Sequence, residues 1–309
     1  MLKHATNHTQ TRCVSLKNKQ LTRIFGILLL LLINLQVKAQ NIQERNAGSK
    51  TIIVAEPSGD YAIDRELILK ALKKVNEGDT LQFSSGTYLI SKKIQIDVTG
   101  ITLKGNSLST IIRGCNPEKF TEPLYGLLNC GGFELIGQNQ TVENFIFEYA
   151  WHGLMIGCCL PNNMEQLENG TNIKKEQLGG HLIQNNIFRF NSTGIRVIGI
   201  NPKRVVIRDN AFQDNFHGLT INGSNVKVEK NRFHKSNPEK TPVDGAIDNA
   251  IGILPFSTMF PPEKLPELNL DCEKIEIIGN SIENISNDIR ISDSNLCKDI
   301  ILKDNIIKE

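Results

Sequence analysis

One phrase recurs three times between Gln184 and Asn231, and it limits what this chain can fold into more than any other feature. A short apolar strand runs into an Asn, and a Phe follows two residues later: Asn186 and Phe188, Asn210 and Phe212, Asn231 and Phe233. In the first two copies a Gly stands six residues after the Phe, at Gly194 and Gly218. That Gly opens a second alternating strand, Ile195-Arg196-Val197 or Leu219-Thr220-Ile221. The Asn-to-Asn steps are 24 and 21 residues. A fixed period of that length marks a solenoid, in which each repeat packs only on its neighbours. Built from strands, such a solenoid is a β-helix.

The rest of the chain aligns to this register. Ile101, Leu103, Asn106 and Leu108 with Gly114 make one coil, and Val142, Phe145 and Phe147 with Gly153 another, Phe145 standing where Asn is expected. Ile277, Asn280 and Ile282, then Asp288 in place of Gly, form a later coil, and Leu302, Asn305 and Ile307 begin a last one. A side-chain amide at a tight corner bonds backbone groups of its own turn and of the next coil. Asn106, Asn186, Asn210, Asn231, Asn280 and Asn305 are therefore expected to form a structural ladder. With Phe145 counted as a ladder position, the intervals are 39, 41, 24, 21, 49 and 25 residues. The three long ones imply insertions or an extra coil. Insertions at Cys158 to Gly180, His234 to Asn249 and Pro255 to Asp271 all flank the Gly-initiated strands. Loops gathered on one face of a rigid scaffold are where function usually sits.

Ahead of the repeats, Asp64 to Asn76 is predicted to be an amphipathic helix, with Leu67, Ile68, Ala71, Leu72 and Val75 on one face. It would cover the apolar end of the solenoid. Residues 1–39 read as a secretory signal peptide: Lys17, Lys19 and Arg23 precede the apolar run Ile24 to Ile33, and Val37-Lys38-Ala39 is a small-residue cleavage end. Residues 40–50 read as a polar linker and 51–309 as the β-helix domain. The full chain has 35 basic and 33 acidic residues. Without the leader it has 29 basic and 33 acidic residues. The mature chain therefore has no global basic field for nucleic acid, and after cleavage it has no membrane segment. Export, to the periplasm, outer surface or medium, permits disulfides. Cys272 and Cys297 each precede an equivalent Ile by three residues, and stacked coils lie about 4.8 Å apart, within disulfide reach.

The cap helix, Gly78-Asp79-Thr80, Gly86-Thr87-Tyr88, Gly100-Ile101-Thr102-Leu103 with Gly105, and the Asn-x-Phe…Gly repeats resemble the right-handed parallel β-helix superfamily of pectate lyase and its relatives. The resemblance covers about residues 51–309. It implies three strands per coil, an Asn ladder at the second corner, and an active cleft on the outer face of the Gly-initiated strands. It also implies acidic polysaccharide substrates and lyase, hydrolase or C5-epimerase chemistry. His152-Gly153-Leu154-Met155-Ile156-Gly157 is similar to the GHG-x-S-I-G segment of polygalacturonases, without the NTD or DD pair that precedes it there. The DPH motif of alginate epimerases is absent.

Strand alternation turns Arg196 outward, with Met155, Thr220, Leu254 and Arg290 outward by the same count. His152 and His217 both stand just before the Gly, and Trp151 and Phe216 just before the His. The two histidines are expected about 10 Å apart with Arg196 between them. Elimination or epimerisation of a uronic acid needs a cation on the carboxylate and a base for the α-proton. His152, Arg196 and His217 are thus the candidate catalytic residues, and Trp151, Phe216 and Arg290 the candidate substrate contacts. Glu148 and Asp214, one acid per coil, are candidate Ca²⁺ ligands. No motif demands another cofactor. The expected function is an exported carbohydrate-active protein, a polysaccharide lyase or epimerase on uronic-acid-containing glycans. The alternative is a non-catalytic glycan-binding or adhesion β-helix.

Overall fold

A computed structural model describes residues 48–117, 130–157, 179–199, 204–236, 249–255, 272–292 and 296–308. The segment read as a signal peptide, most of that read as a linker and most of each expected insertion lie outside these residues. From Lys50 onward the chain is one compact unit.

Among the described residues, three sheets run the length of the unit. The first has nine strands, from Thr51–Val54 to Cys297–Lys303. The second has eight, from Gly86–Leu89 to Ile306–Lys308, and the third seven, from Ile94–Ile96 to Ile289–Ile291. The chain visits first, second and third sheet in turn, then returns to the first sheet one coil further on. All pairings are parallel, as in Ile187 to Ala211 and Ala211 to Arg232. Parallel crossovers are right-handed in about 98% of cases. The chain is a right-handed parallel β-helix, the architecture that the resemblance implies. Each long interval in the repeat is a single coil carrying an insertion: Thr102 pairs directly with Thr141, Leu182 with Thr141, and Val226 with Ile275.

The repeat maps onto the core. Phe147, Phe188, Phe212 and Phe233 stack down the second sheet with ring centroids 5.1, 5.2 and 4.5 Å apart. The Gly six residues after Phe147, Phe188 and Phe212 has a packing reason. A Cβ on Gly194 would lie 2.6 Å from the Gly218 carbonyl and 2.8 Å from the Phe212 ring. Ring and neighbouring backbone close on that corner, so only glycine fits.

The Asn side chains of the second corner are bonded one to the next. Asn186 Nδ2 donates to Asn210 Oδ1 (3.1 Å), Asn210 to Asn231 (3.0 Å), Asn231 to Asn280 (3.0 Å) and Asn280 to Asn305 (3.0 Å). Each Oδ1 also accepts the backbone N–H of the preceding coil, as Asn210 does from Asn186 (3.0 Å). At the foot of the column the Phe145 N–H donates to Asn186 Oδ1 (3.0 Å).

Asn106 is a correction. It is exposed, and the residue that pairs with Phe145 is Thr110. Thr110 is buried, and its hydroxyl donates to the Ser84 carbonyl (2.9 Å) while accepting the Asn106 N–H (2.9 Å). The corner here holds extra residues, with Ser107 and Leu108 at positive φ. Counting from the first apolar strand therefore stops one turn short of the ladder position. The helix also differs: it spans Tyr61–Leu72, not Asp64 to Asn76. Asp60 caps it by accepting from the Ala62 and Ile63 N–H groups, and Lys73 ends it. Asp64 is wholly buried one turn in, where its carboxylate accepts from the Ser58 hydroxyl (2.7 Å) and the Leu89 N–H (3.0 Å). Cys272 and Cys297 are disulfide-bonded across consecutive coils, Cα atoms 4.6 Å apart, and Cys115 is bonded to Cys130.

His181 is 1% exposed, and neither ring nitrogen has a hydrogen-bond partner among the described residues. Burial pushes it down to about 4 from 6.5. The unfolded chain therefore takes up this proton first as pH falls. Stability from this group is complete above pH 6.5 and is lost between there and about pH 4, by on the order of 3 kcal/mol. Thermal unfolding across that window should show the fall, and His181→Leu should remove about half of it, the rest coming from His152, which is also held well below 6.5. Asn210→Ala should lower stability by about 3 kcal/mol, because it orphans buried N–H and C=O groups in two coils. Asn106→Ala should change stability by less than about 0.5 kcal/mol. Chemical denaturation of the two variants measures the contrast.

Candidate functional site

The third sheet presents the candidate residues because its corner is held rigidly. Asn191 and Asn215 form a second, shorter ladder there: the Ala150 N–H donates to Asn191 Oδ1 (3.0 Å), and Asn191 Nδ2 to Asn215 Oδ1 (2.9 Å). Trp151 and His152 follow Ala150 directly, and Phe216 and His217 follow Asn215. The ladder thus sets where each aromatic–histidine pair leaves the corner.

From there the strand register decides neighbours. His152 pairs with Thr193, and Thr193 with His217, so two strand spacings, about 10 Å, separate the histidine backbones. Outward along the sheet run Gln95, Glu134, Met155, Arg196, Thr220, Gly252 and Arg290. Leu254 lies one outward position further along its strand, so the residue level with Arg196 and Arg290 there is Gly252.

Arg196 and His152 are in contact. Arg196 Nη1 is 3.4 Å from His152 Nε2, and Arg196 Nε donates to Asn222 Oδ1 (3.2 Å). A guanidinium only donates, so His152 Nε2 accepts and the imidazole proton sits on Nδ1. Burial, then the charges of Arg196, Lys93 and His217, hold His152 down at about 3 from 6.5. It is neutral at any ordinary pH. Burial also lowers Arg196 to about 10, which leaves it charged at neutral pH. On the other side, Asn249 Nδ2 lies 3.4 Å from His217 Nδ1.

The aromatic pair divides. Trp151 is 37% exposed and stacks on His152, ring centroids 4.6 Å apart, so its outer face is open to a ligand. Phe216, expected to play the same part, is 9% exposed and packs against His217 at 4.3 Å. A sheltered ring offers no platform for a sugar, and Phe216 is structural. Arg290 is exposed at the last coil of the sheet, three strand spacings from Arg196. The fold brings together His152, Arg196, His217 and Trp151, and keeps Arg290 apart.

The Ca²⁺ expectation is corrected as well. Glu148 faces outward on the second sheet, away from this face, where Arg113 and Arg189 grip its carboxylate. Asp214 accepts from the Ser236 N–H (2.7 Å) and hydroxyl (2.9 Å). Both acids are spent on protein partners. Among the described residues no group of three or more His, Cys, Asp or Glu could hold a metal ion.

Sequence reasoning missed Lys93, Glu134 and Asn222. Glu134 is 2% exposed, paired with Lys93 Nζ (3.0 Å) and bonded by Gln95 Nε2 (2.7 Å). The signal was present: Gly132-Phe133-Glu134-Leu135 repeats the pattern of Gly194-Ile195-Arg196-Val197, hidden inside a 39-residue interval.

No protein-family model matches the chain, and no curated protein matches its sequence. Solved structures similar to it include a PL6 alginate lyase complexed with a trisaccharide, at 12% identity over 76% of this chain and 50% of that one, TM-score 0.47. Others are an alginate lyase from Paenibacillus sp. str. FPU-7 (10% identity, 84% of this chain and 98% of that one, TM-score 0.34) and pectin methylesterase from Yersinia enterocolitica (13%, 73% and 81%, TM-score 0.30). The chain spans half the length of the first of these.

The ionisation of His152 is directly measurable. Its ring resonances in NMR should titrate near pH 3 rather than 6.5. Arg196→Gln should raise that midpoint by removing one positive neighbour, but not restore 6.5, since burial is the larger cause.

Proposed function

We propose that the outer face of the third sheet binds acidic glycans and cleaves or epimerises them at a uronic acid, outside the cytoplasm. The observation that carries this reading is the contact of Arg196 with a neutral His152, with His217 two coils away and Trp151 open beside them.

In this reading Arg196, steadied by Asn222 and His152, pairs with the uronate carboxylate and makes the enolate-like charge beside it tolerable. His152 cannot supply that charge and, at about 3, is a feeble base. Its part is to orient the guanidinium. His217 is the base that removes the α-proton. In elimination, the C5–H bond breaks and its proton goes to the base. A C4–C5 double bond forms as the C4–O bond breaks, and the leaving oxygen takes a proton. In epimerisation the base keeps that proton, and a second one, from water, adds to the opposite face of C5. Trp151 stacks on a sugar ring.

A second reading is glycan capture without chemistry. The weak basicity of His152 favours it, because one of two candidate bases is lost. The two part on a single assay. Under the first, uronate polymers give an unsaturated product absorbing in the ultraviolet, or an epimerised polymer by NMR. Arg196→Gln and His217→Ala should each lower kcat by about 10² or more, and His152→Ala should cost less than either. Full activity in His217→Ala would remove His217 as the base. Tight glycan binding with no product would establish the second reading.

A further inference from the structure

Four successive coils place Arg196, Thr220, Gly252 and Arg290 in one outward column. Three spacings of about 4.8 Å put the arginine backbones about 14 Å apart. Between them the floor is sheltered: Thr220 is 7% exposed and Gly252 is buried, while Arg290 is exposed. Small buried residues between two cationic rims make a trough.

Gly252 is unlike the corner glycines. At Gly132, Gly153, Gly194 and Gly218 a Cβ would meet backbone or ring atoms at 2.0 to 2.9 Å. At Gly252 the nearest atom would be Asn249 Nδ2, at 3.5 Å, an ordinary contact. Its φ lies outside the left-handed region. Among the described residues neither packing nor backbone conformation demands glycine there, and its missing side chain leaves volume on the outer face. Beside that volume stands the Asn249 side-chain amide, whose Nδ2 is the atom nearest to it. An amide N–H donates, and a sugar oxygen accepts.

We propose that this trough is a second subsite for an acidic glycan: a uronate carboxylate on Arg290, a sugar ring over Gly252, and a sugar oxygen accepting from Asn249 Nδ2. It rests on the acidic-glycan reading of Arg196. It makes the ligand an oligomer, with two carboxylates more than one ring apart, because each arginine engages its own. Joining the two contacts in one chain raises affinity without any new contact.

Calorimetric binding tests this without requiring turnover. The probes are a monouronate and a five-residue oligouronate, in galacturonate and mannuronate forms. The wild type should bind one oligouronate far more tightly than its monomer. Arg290→Gln and Gly252→Phe should each weaken the oligouronate about tenfold and leave the monomer within twofold, while Gly252→Ala changes neither. Arg290 is exposed, so its variant stays informative even if Gly252→Phe misfolds. Unchanged oligouronate affinity in Arg290→Gln, or equal losses for monomer and oligomer, overturns the trough and leaves the Arg196 reading standing. No binding of any uronate by the wild type overturns both.

Discussion

A strand that turns a corner in a stacked coil strands backbone N–H groups that neither its own turn nor a regular ladder can satisfy. Everything else in this protein depends on how that is solved. Asn at positions 186, 210, 231, 280 and 305 supplies an acceptor to the coil before it and donors to carbonyls around it. Buried amides so bonded are rigid and specific, because each has one arrangement that leaves nothing unpaired. Where the ladder starts, Thr110 and Phe145 replace Asn, and the corner lengthens around Asn106.

Rigid corners convert sequence spacing into spatial columns. Once one coil is fixed, the residue facing out at Arg196 is fixed above Met155 and below Thr220. The short ladder of Asn191 and Asn215 does the same for the histidines. The site is thus made by stacking, and its electrostatics follow from it. Placing His152 beside Arg196, under Trp151, removes water and adds positive charge together, so the imidazole stays neutral while the guanidinium keeps its charge.

Much of this was legible in the residues. The Asn and Phe periods, the outward Arg196 and the stacking of Cys272 on Cys297 come from spacing alone, since period two and a fixed coil rise leave little freedom. The different fates of Trp151 and Phe216 were not legible. They hold aligned positions, and exposure depends on what packs around each ring. The contact between Arg196 and His152 was also out of reach, because spacing gives Cα positions and says nothing about where long side chains end. Glu134 escaped for another reason: an insertion broke the count before it reached that strand.

The central claim is that the outer face of the third sheet is where an acidic glycan is held. A crystal structure of the protein soaked with an oligouronate tests it most directly. The account predicts a sugar carboxylate paired with the Arg196 guanidinium, and a ring lying against Trp151 on the His217 side. Density for the glycan on the first or second sheet, with no sugar carboxylate on Arg196, would contradict it.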